Sequence, residues 1–419
     1  MSAALAERLL AALPAPADAQ AAAARATFAA AGLPDRRVES WRYSALNGLE
    51  GLNPAAGHVE ALPPPELAGI AGTLVEQVAG RWIAAPSLPR GLLVRVVAGS
   101  ERTAESSPAP MECSPLATDR AIRDARAQAF RWLALAAGGE VLEIDVTAPV
   151  TGIWRLALQH DAAGLAHTRV RLRVHSGAAI TLLVHEYGSD AATGLANRLV
   201  EIQLDEGAAL SWIGLQEQGA RAQSVRHSDL RLAAGARLEH VNLELGGLWS
   251  RHTLVIELAG ARADARVAGL VALRGRQHHD TRLAITHAMA DACSHTQWKA
   301  IADARARAVF GGLIAVPPGA DGSRAKLRTA NLLLSAHAEI DARPELSIET
   351  DDVECAHGAT VGQLDAGALY YLRTRGVPLA QARQMLTLAF GGEVLAAVGS
   401  ASLRAVLDAR VAAHLPVAE

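Results

Sequence analysis

A small two-residue step recurs ahead of short strand-like runs, at Gly177-Ala178, Gly207-Ala208, Gly235-Ala236 and Gly260-Ala261, and Asp291-Ala292 continues the series. The steps are 30, 28, 25 and 31 residues, an imperfect period of the length that one coil of a solenoid occupies. From about Glu140 to Ile348 the runs themselves, among them VRLRVH, ITLLVHE, LVEIQL, LSWIGLQ, LEHVNLEL and HTLVIELAG, alternate apolar and other residues as strands do. Each step holds two runs, as in SGAAITLLVHE followed by RLVEIQLDEG, and the pair is not joined by the Asn-Gly or Asp-Gly turn of a two-residue hairpin. A lone coil cannot bury its apolar face, whereas stacked coils share one continuous core. The pattern therefore predicts a parallel β-helix of about seven coils. The competing arrangement is a large antiparallel sandwich whose period is accidental.

The two ends of the chain read differently. Leu5, Leu9, Leu10 and Leu13 mark a short helix, and a second runs from about Ala17 to Ala31, ended by Gly32 and Pro34. The Pro-rich connector ALPPPELAGIAG then leads into the first strand-like runs, RWIAAP and GLLVRVVAG. After the strand-rich ELSIETDDVECAHGATVG, Asp365 can cap a helix holding Leu369, Tyr370 and Leu372 that Gly376 ends. Pro378 opens the next, with Leu379, Ala382, Leu386 and Ala389 on one face, and a third is expected from about Glu393 to Leu415. Such an end-piece is expected to cover the last coil of the solenoid.

Charge and composition exclude several functions. Forty basic residues against 43 acidic ones give a net charge of −3, so the field that gathers nucleic acid or anionic lipid is missing. No window reaches the roughly 18 uninterrupted apolar residues of a membrane span, and the Ala-rich start, interrupted by Glu7 and Asp18, lacks the basic region of a signal peptide. Cys113, Cys293 and Cys355 lie far apart with no CxxC pair, which fits a reducing compartment, and the expected location is cytoplasmic. Neither a P-loop, a strand leading into GxGxxG, a GxSxG elbow nor an HExxH helix is present, so nucleotide hydrolysis and the common hydrolase chemistries lose support.

Two clusters can carry chemistry. Cys355 and His357 follow the acidic Asp351-Asp352 pair and, in a strand, face the same way about 6.6 Å apart at Cα. Thiolate and imidazole can approach a common iron or small cluster, but they supply two of the four ligands a tetrahedral metal needs, so another chain or sulfide would complete the site. The alternative is a buried thiol and a histidine hydrogen-bonded in a turn. The second cluster, His278-His279-Asp280 with His287, Cys293 and His295, can bind a transition metal adventitiously. Its plainer reading is a polar ladder on a solvated face of the β-helix.

Three blocks carry a family resemblance. GLPDRRVESWRYSAL (Gly32 to Leu46) resembles the entry segment of SufD proteins, the scaffold family of iron–sulfur cluster assembly that is paralogous to SufB. HHDTRLAITH and CSHTQWKAIADARARAVFGGLIAV resemble the family's final coils. NLLLSAHAEIDARPELSIETDDVECAHGATVGQLDAGALYYLRTRG resembles its C-terminal signature, in which DDV-x-C-x-HGATVG is the most specific element. The SufB paralogues lack that run and are usually longer. One departure is GADGSRAKLR, Gly319 to Arg328, where the family commonly has a Gln- and Asp-containing stretch.

The expected fold is mainly β: a right-handed parallel β-helix (91–360) between an N-terminal helical region (1–90) and a C-terminal helical region (361–419). The resemblance implies a non-catalytic scaffold subunit of a SufBCD complex, pairing with a SufB-like paralogue through the β-helices and docking a SufC-like ATPase on the C-terminal helices. His357 becomes the candidate iron or cluster ligand at the SufB interface, with Cys355 beside it. The cluster is transient and shared, none is held tightly by this chain alone, and self-pairing into a homodimer is an option for the isolated subunit. A SufB-like scaffold, and in a different class a β-helix carbohydrate-active or adhesin protein, are the alternatives.

Overall fold

The computed structural model describes residues 2–58, 62–78, 80–85, 87–98 and 124–415, so Cys113 lies outside the described residues. Two long sheets stack against each other along the chain. In the first, β5 (Ile153–His160), β7 (Ala179–Gly188), β9 (Ala209–Glu217), β11 (Arg237–Glu244), β13 (Asp264–Leu273), β15 (Cys293–Ala302), β17 (Ser323–Leu333) and β19 (Val353–Gly362) pair in parallel, each with the strand one coil on. The second runs through β4 (Val141–Val146), β6 (Leu165–Val174), β8 (Leu195–Leu204), β10 (Gln223–Leu232), β12 (Trp249–Leu258), β14 (His278–His287), β16 (Arg307–Val316) and β18 (Glu339–Ile348). The chain alternates between the sheets, which makes a parallel β-solenoid of about eight coils and rules out the sandwich.

The corner of each coil explains the small-residue steps. Gly177, Gly207 and Gly235 have φ of 68°, 66° and 64°, a region that costs a residue with a Cβ about 1–2 kcal/mol. The alanine after each, Ala178, Ala208 or Ala236, is buried in the core. Gly260 breaks the series. The equivalent corner is Arg262, at φ 57°, followed by the buried Ala263, and the next is Asp291, at 59°, followed by the buried Ala292. The Gly260-Ala261 pair is therefore two residues out of phase, because the corner tolerates an exposed non-glycine residue at a cost.

Inward residues fill a single core that runs the length of the solenoid. Near its end Trp298 stacks on Phe310 with ring centroids 5.2 Å apart. Its register partner in the coil below is Gly269, where a Cβ would meet the indole at 2.2 Å, so only glycine fits beneath this tryptophan. Outer faces are covered as well. Helices α1 (Ser2–Ala11), α2 (Ala19–Ala31) and α3 (Ala129–Ala136) form a second apolar cluster with Leu195, Leu199, Val225 and Trp249 of the second sheet. Asp18 caps α2 by accepting from the Ala21 amide at 2.7 Å.

At the other end α4 (Ala366–Thr374) is capped by Asp365, α5 spans Leu379–Leu395, and α6 (Ala401–His414) starts from a Ser400 cap, later than the periodicity implied. Val394, Leu395, Leu403, Leu407 and Val411 bury against Leu243, Leu270, Ile301 and Leu332 on the outside of the first sheet. The helices thus cover the side of the middle coils and leave the last coil open, contrary to the expectation of an end-cap. No described helix is long and apolar enough to cross a membrane.

The core is not wholly apolar. Glu186, Arg198, Arg226, Glu244, His252 and His279 occupy inward positions of β7, β8, β10, β11, β12 and β14, and all are buried. Arg198 pairs with Glu186, Arg226 with Glu244 at 2.5 Å, and His279 Nδ1 lies 3.2 Å from Glu244. Burial pushes the Glu244 carboxyl up, yet Arg226, His252 and His279 hold it well below the usual range. Burial dominates at four inward histidines: it lowers His252 even beside Glu244, and depresses His160 and His240 to about 3 and His287 to about 4.

The imidazoles of His160, His240 and His287 are neutral in the folded chain but bind protons below about 6.5 when unfolded. Their contribution is complete above that value and drains as the pH falls toward 4, by up to about 1.4 kcal/mol per pH unit for each. The urea midpoint is expected to drop steadily between pH 7 and 5, and His240→Gln to flatten the slope by one proton's worth. An unchanged slope in the variant would mean that His240 is protonated in the fold.

Candidate functional site

The first coil closes itself. β1 (Gly72–Val78) extends the first sheet in parallel beside β5, and β2 (Arg81–Ala84) then adds antiparallel; β3 (Leu92–Val97) adds antiparallel to β4 in the second. Among the described residues nothing comparable closes the other end. Among the described residues β19 pairs only with β17 and β18 only with β16, so each offers an unpaired row of backbone N–H and C=O groups.

Cys355 and His357 lie on that open coil. Their register partners are Ala325 and Leu327, both buried core residues, so the two side chains share the inward face at the mouth of the solenoid. Cys355 is half-buried and packs on the core, while every residue from His357 to Gly362 is exposed. Burial raises the Cys355 thiol, with a smaller opposing effect from a hydrogen bond to the Ala325 backbone. Gly358 and Gly362 would meet nothing within 4 Å if they carried a Cβ, and Val361 is 50% exposed. Glycine inside a strand weakens it and marks a place where another backbone can approach closely.

The donor set is incomplete. Among the described residues no group of three or more His, Cys, Asp or Glu side chains is placed to hold a metal ion. Cys355 and His357 therefore supply two ligands at most, and an iron or cluster here would need donors from elsewhere.

The second histidine cluster is not brought together. His279 and His287 point inward and are buried, with His287 Nε2 2.8 Å from Ser294, whereas Asp280 and His278 face outward and His295 lies exposed on the other sheet. The alternation of a strand divides these neighbours between core and exterior, so they form neither a metal cluster nor a ladder on a solvated face. Asp280 pairs with Arg251 and accepts from Ser44.

Those last contacts account for the entry segment. Trp41 stacks on Phe130 at 5.6 Å and lies under the Arg251 guanidinium at 4.0 Å. Tyr43 sits 5.4 Å from Arg307, Ser44 reaches Asp280, and Glu39 meets Arg343 at 2.5 Å. The segment thus crosses β12, β14, β16 and β18 and ties four successive coils together, up to the open one. Residue spacing alone had not indicated this role, since the partners lie hundreds of positions away.

A parallel β-solenoid capped at one end, with an open terminal coil bearing a thiol and an imidazole, is the class of protein that fold and site define. Residues 157–390 match the family model described as the SufBD core domain of the SUF system for FeS cluster assembly. The chain is 30% identical to the iron–sulfur cluster assembly protein SufD of Escherichia coli K12, over 92% of its own length and 90% of that protein. It is 34% identical to a SufBD family protein of Synechocystis over 50% of this chain and 46% of the other, and 28% identical to the chloroplastic protein ABCI7 of Arabidopsis thaliana over 55% and 49%. The chain belongs to the SufBD family of iron–sulfur cluster assembly proteins, as a SufD homologue.

With Cys113 and Cys293 replaced by serine, Cys355 can be followed alone. Its alkylation by iodoacetamide is expected to be slower at pH 7.5 than that of a free thiol, with a midpoint above the ordinary value of about 8.5. A plateau reached below pH 8 would show instead that the mouth of the solenoid stabilises the thiolate.

Proposed function

We propose that this chain is a non-catalytic scaffold subunit of a SufBCD-type complex in the cytoplasm, pairing end to end with a SufB-like paralogue and helping to form a nascent-cluster site at their junction. The open terminal coil carries this reading: two unpaired edges, small residues along β19, and a half-set of ligands at the same place. His357 is the proposed iron or cluster ligand and Cys355 its neighbour, the remaining donors coming from the partner or from sulfide. The cluster is cargo, held transiently at the shared face. In the absence of the paralogue the same edge supports symmetric self-pairing.

Co-expression with SufB-like and SufC-like partners, followed by anaerobic reconstitution, tests the site. The His357→Ala complex is expected to assemble in normal yield and to hold at most about half the iron and sulfide of wild type, with lower visible absorbance, since an exposed side chain contributes little to the fold. Unchanged loading would leave this subunit an architectural partner whose chemistry belongs to the SufB-like chain.

A SufC-like ATPase is proposed to dock on the C-terminal helices, where Tyr370 and Tyr371 of α4 are 72% and 58% exposed and Leu379 and Met385 of α5 are also uncovered. Deleting the helices would strip Leu270 and Ile301, so point changes are the cleaner probe. Tyr370→Asp with Tyr371→Asp is expected to lower ATPase co-purification about tenfold while leaving the melting temperature within a few degrees. Undiminished co-purification would move the docking surface elsewhere.

A further inference from the structure

The outer face of the first sheet carries a concentration of positive charge beside the region that α5 covers. Arg324, Lys326 and Arg328 take alternate outward positions on β17 and all three are exposed. In register, Cys293 of β15 lies beside Arg324 and His295 beside Lys326, with Arg266 of β13 beyond His295. With about 6.6 Å between alternate residues and about 4.8 Å between strands, these groups fit a patch about 13 Å by 10 Å.

Three such cations in one row form no ion pair among the described residues, unlike their neighbours Lys299 and Arg266, although Glu354 of β19 is the register partner of Arg324. Lys299 meets Glu393 of α5 at 2.5 Å, and Arg266 faces Asp264 at 3.5 Å. Among the described residues no ion pair or side-chain hydrogen bond reaches Arg324, Lys326 or Arg328. Like charges this close repel in the isolated fold, in a chain whose net charge is −3. The three residues belong to GADGSRAKLR, the stretch that departs from the family pattern; its inward Ala325 and Leu327 lie beneath Cys355 and His357, while its outward cations are used by neither the candidate cluster site nor the proposed ATPase surface.

We propose that this face docks an extended acidic segment of a partner protein, with carboxylates at alternate positions set against Arg324, Lys326 and Arg328. An extended chain repeats its side chains at the same spacing of about 6.6 Å, so three carboxylates can meet three cations without either backbone bending. Glu354 borders the patch on β19, and Asp264 and Glu239 border it on the other side. They confine the positive charge to the short row on β17, whose length of about 13 Å matches three alternate carboxylates of an extended peptide. The patch lies one strand from the open edge, and Ala356 and Gly358, outward on β19, leave the path between edge and patch clear. A protein seated on the terminal coil can therefore lay such a segment across it, and the docking stands whether or not His357 ligates a cluster.

The full-length chain and a fluorescein-labelled peptide of alternating Glu and Thr test this by anisotropy at about 50 mM and about 300 mM salt. Wild type is expected to bind at low salt and to weaken at high salt. Arg324→Gln with Lys326→Gln and Arg328→Gln should bind about tenfold more weakly, whereas the equal charge change Arg36→Gln with Arg37→Gln and Arg42→Gln should bind as wild type does. Thermal melts confirm that both variants fold. Equal weakening in the two variants, no binding at low salt, or equally effective competition by an oligothymidylate of matched charge would each overturn the proposal.

Discussion

The structure depends on an in-register parallel ladder. Ile144, Leu172, Ile202, Leu230, Ile256, Ile285, Ile314 and Leu346 form one unbroken column through the second sheet, each the register partner of the next. Every residue between its two ends is packed from above and below by its own kind, so one coil prepares the surface the next requires. The same property means that the ladder has no internal stop. A solenoid end is closed only where something foreign is laid on it, and here β2 and β3 do so at the N-terminal end by reversing direction. Among the described residues the C-terminal end has no such device, and its apolar mouth and unpaired edges follow directly from that.

The inward charges obey the ladder too. A slip of one residue would turn Arg226 outward while Glu244 stayed in the core, leaving a buried carboxylate without its partner, a change of the kind that costs about 3–5 kcal/mol. Two arginines and two glutamates within the core therefore penalise misregistered stacking more strongly than aliphatic columns can, since one leucine replaces another with little loss. On the outside the entry segment acts in the same direction from another side. Contacts from Glu39, Trp41, Tyr43 and Ser44 to four different strands are satisfied together in one alignment of the coils.

Much of this was legible in the amino-acid sequence, for identifiable reasons. Period and alternation are local properties, so the strands and the solenoid followed from them, and Asp18 and Asp365 announced their helices through ordinary capping chemistry. The phase at Gly260 was misread because glycine is a sufficient but not a necessary residue at a left-handed corner, and Arg262 holds it instead. The face expected on α5 is only partly the one that packs, since Ala382 is buried but Leu379 and Ala389 are exposed while Val394 and Leu395 are covered. Nor did the periodicity tell whether the helices lie against the side or the end of the solenoid. The histidines around His279 were misjudged because middle strands are buried on both faces, which blurs the parity that assigns a side chain to core or exterior. Cys355 and His357 were visible from their spacing and from the family resemblance; that their coil is uncovered depends on where the helices go, a long-range fact.

The exposed strand and the incomplete ligand pair make sense together. A chain that completed four ligands on its own would hold a cluster whether or not a recipient was present, and its terminal coil could then be capped at no functional loss. A chain with two donors, at an edge lined by alanine and glycine, gives up local stability for close approach. On the proposed reading this couples assembly to loading: only when a second solenoid continues the ladder are both the backbone groups of β18 and β19 and the missing coordination positions satisfied. On that reading, the edge that would let the isolated subunit self-pair is the same feature that would withhold the missing donors until a partner arrives.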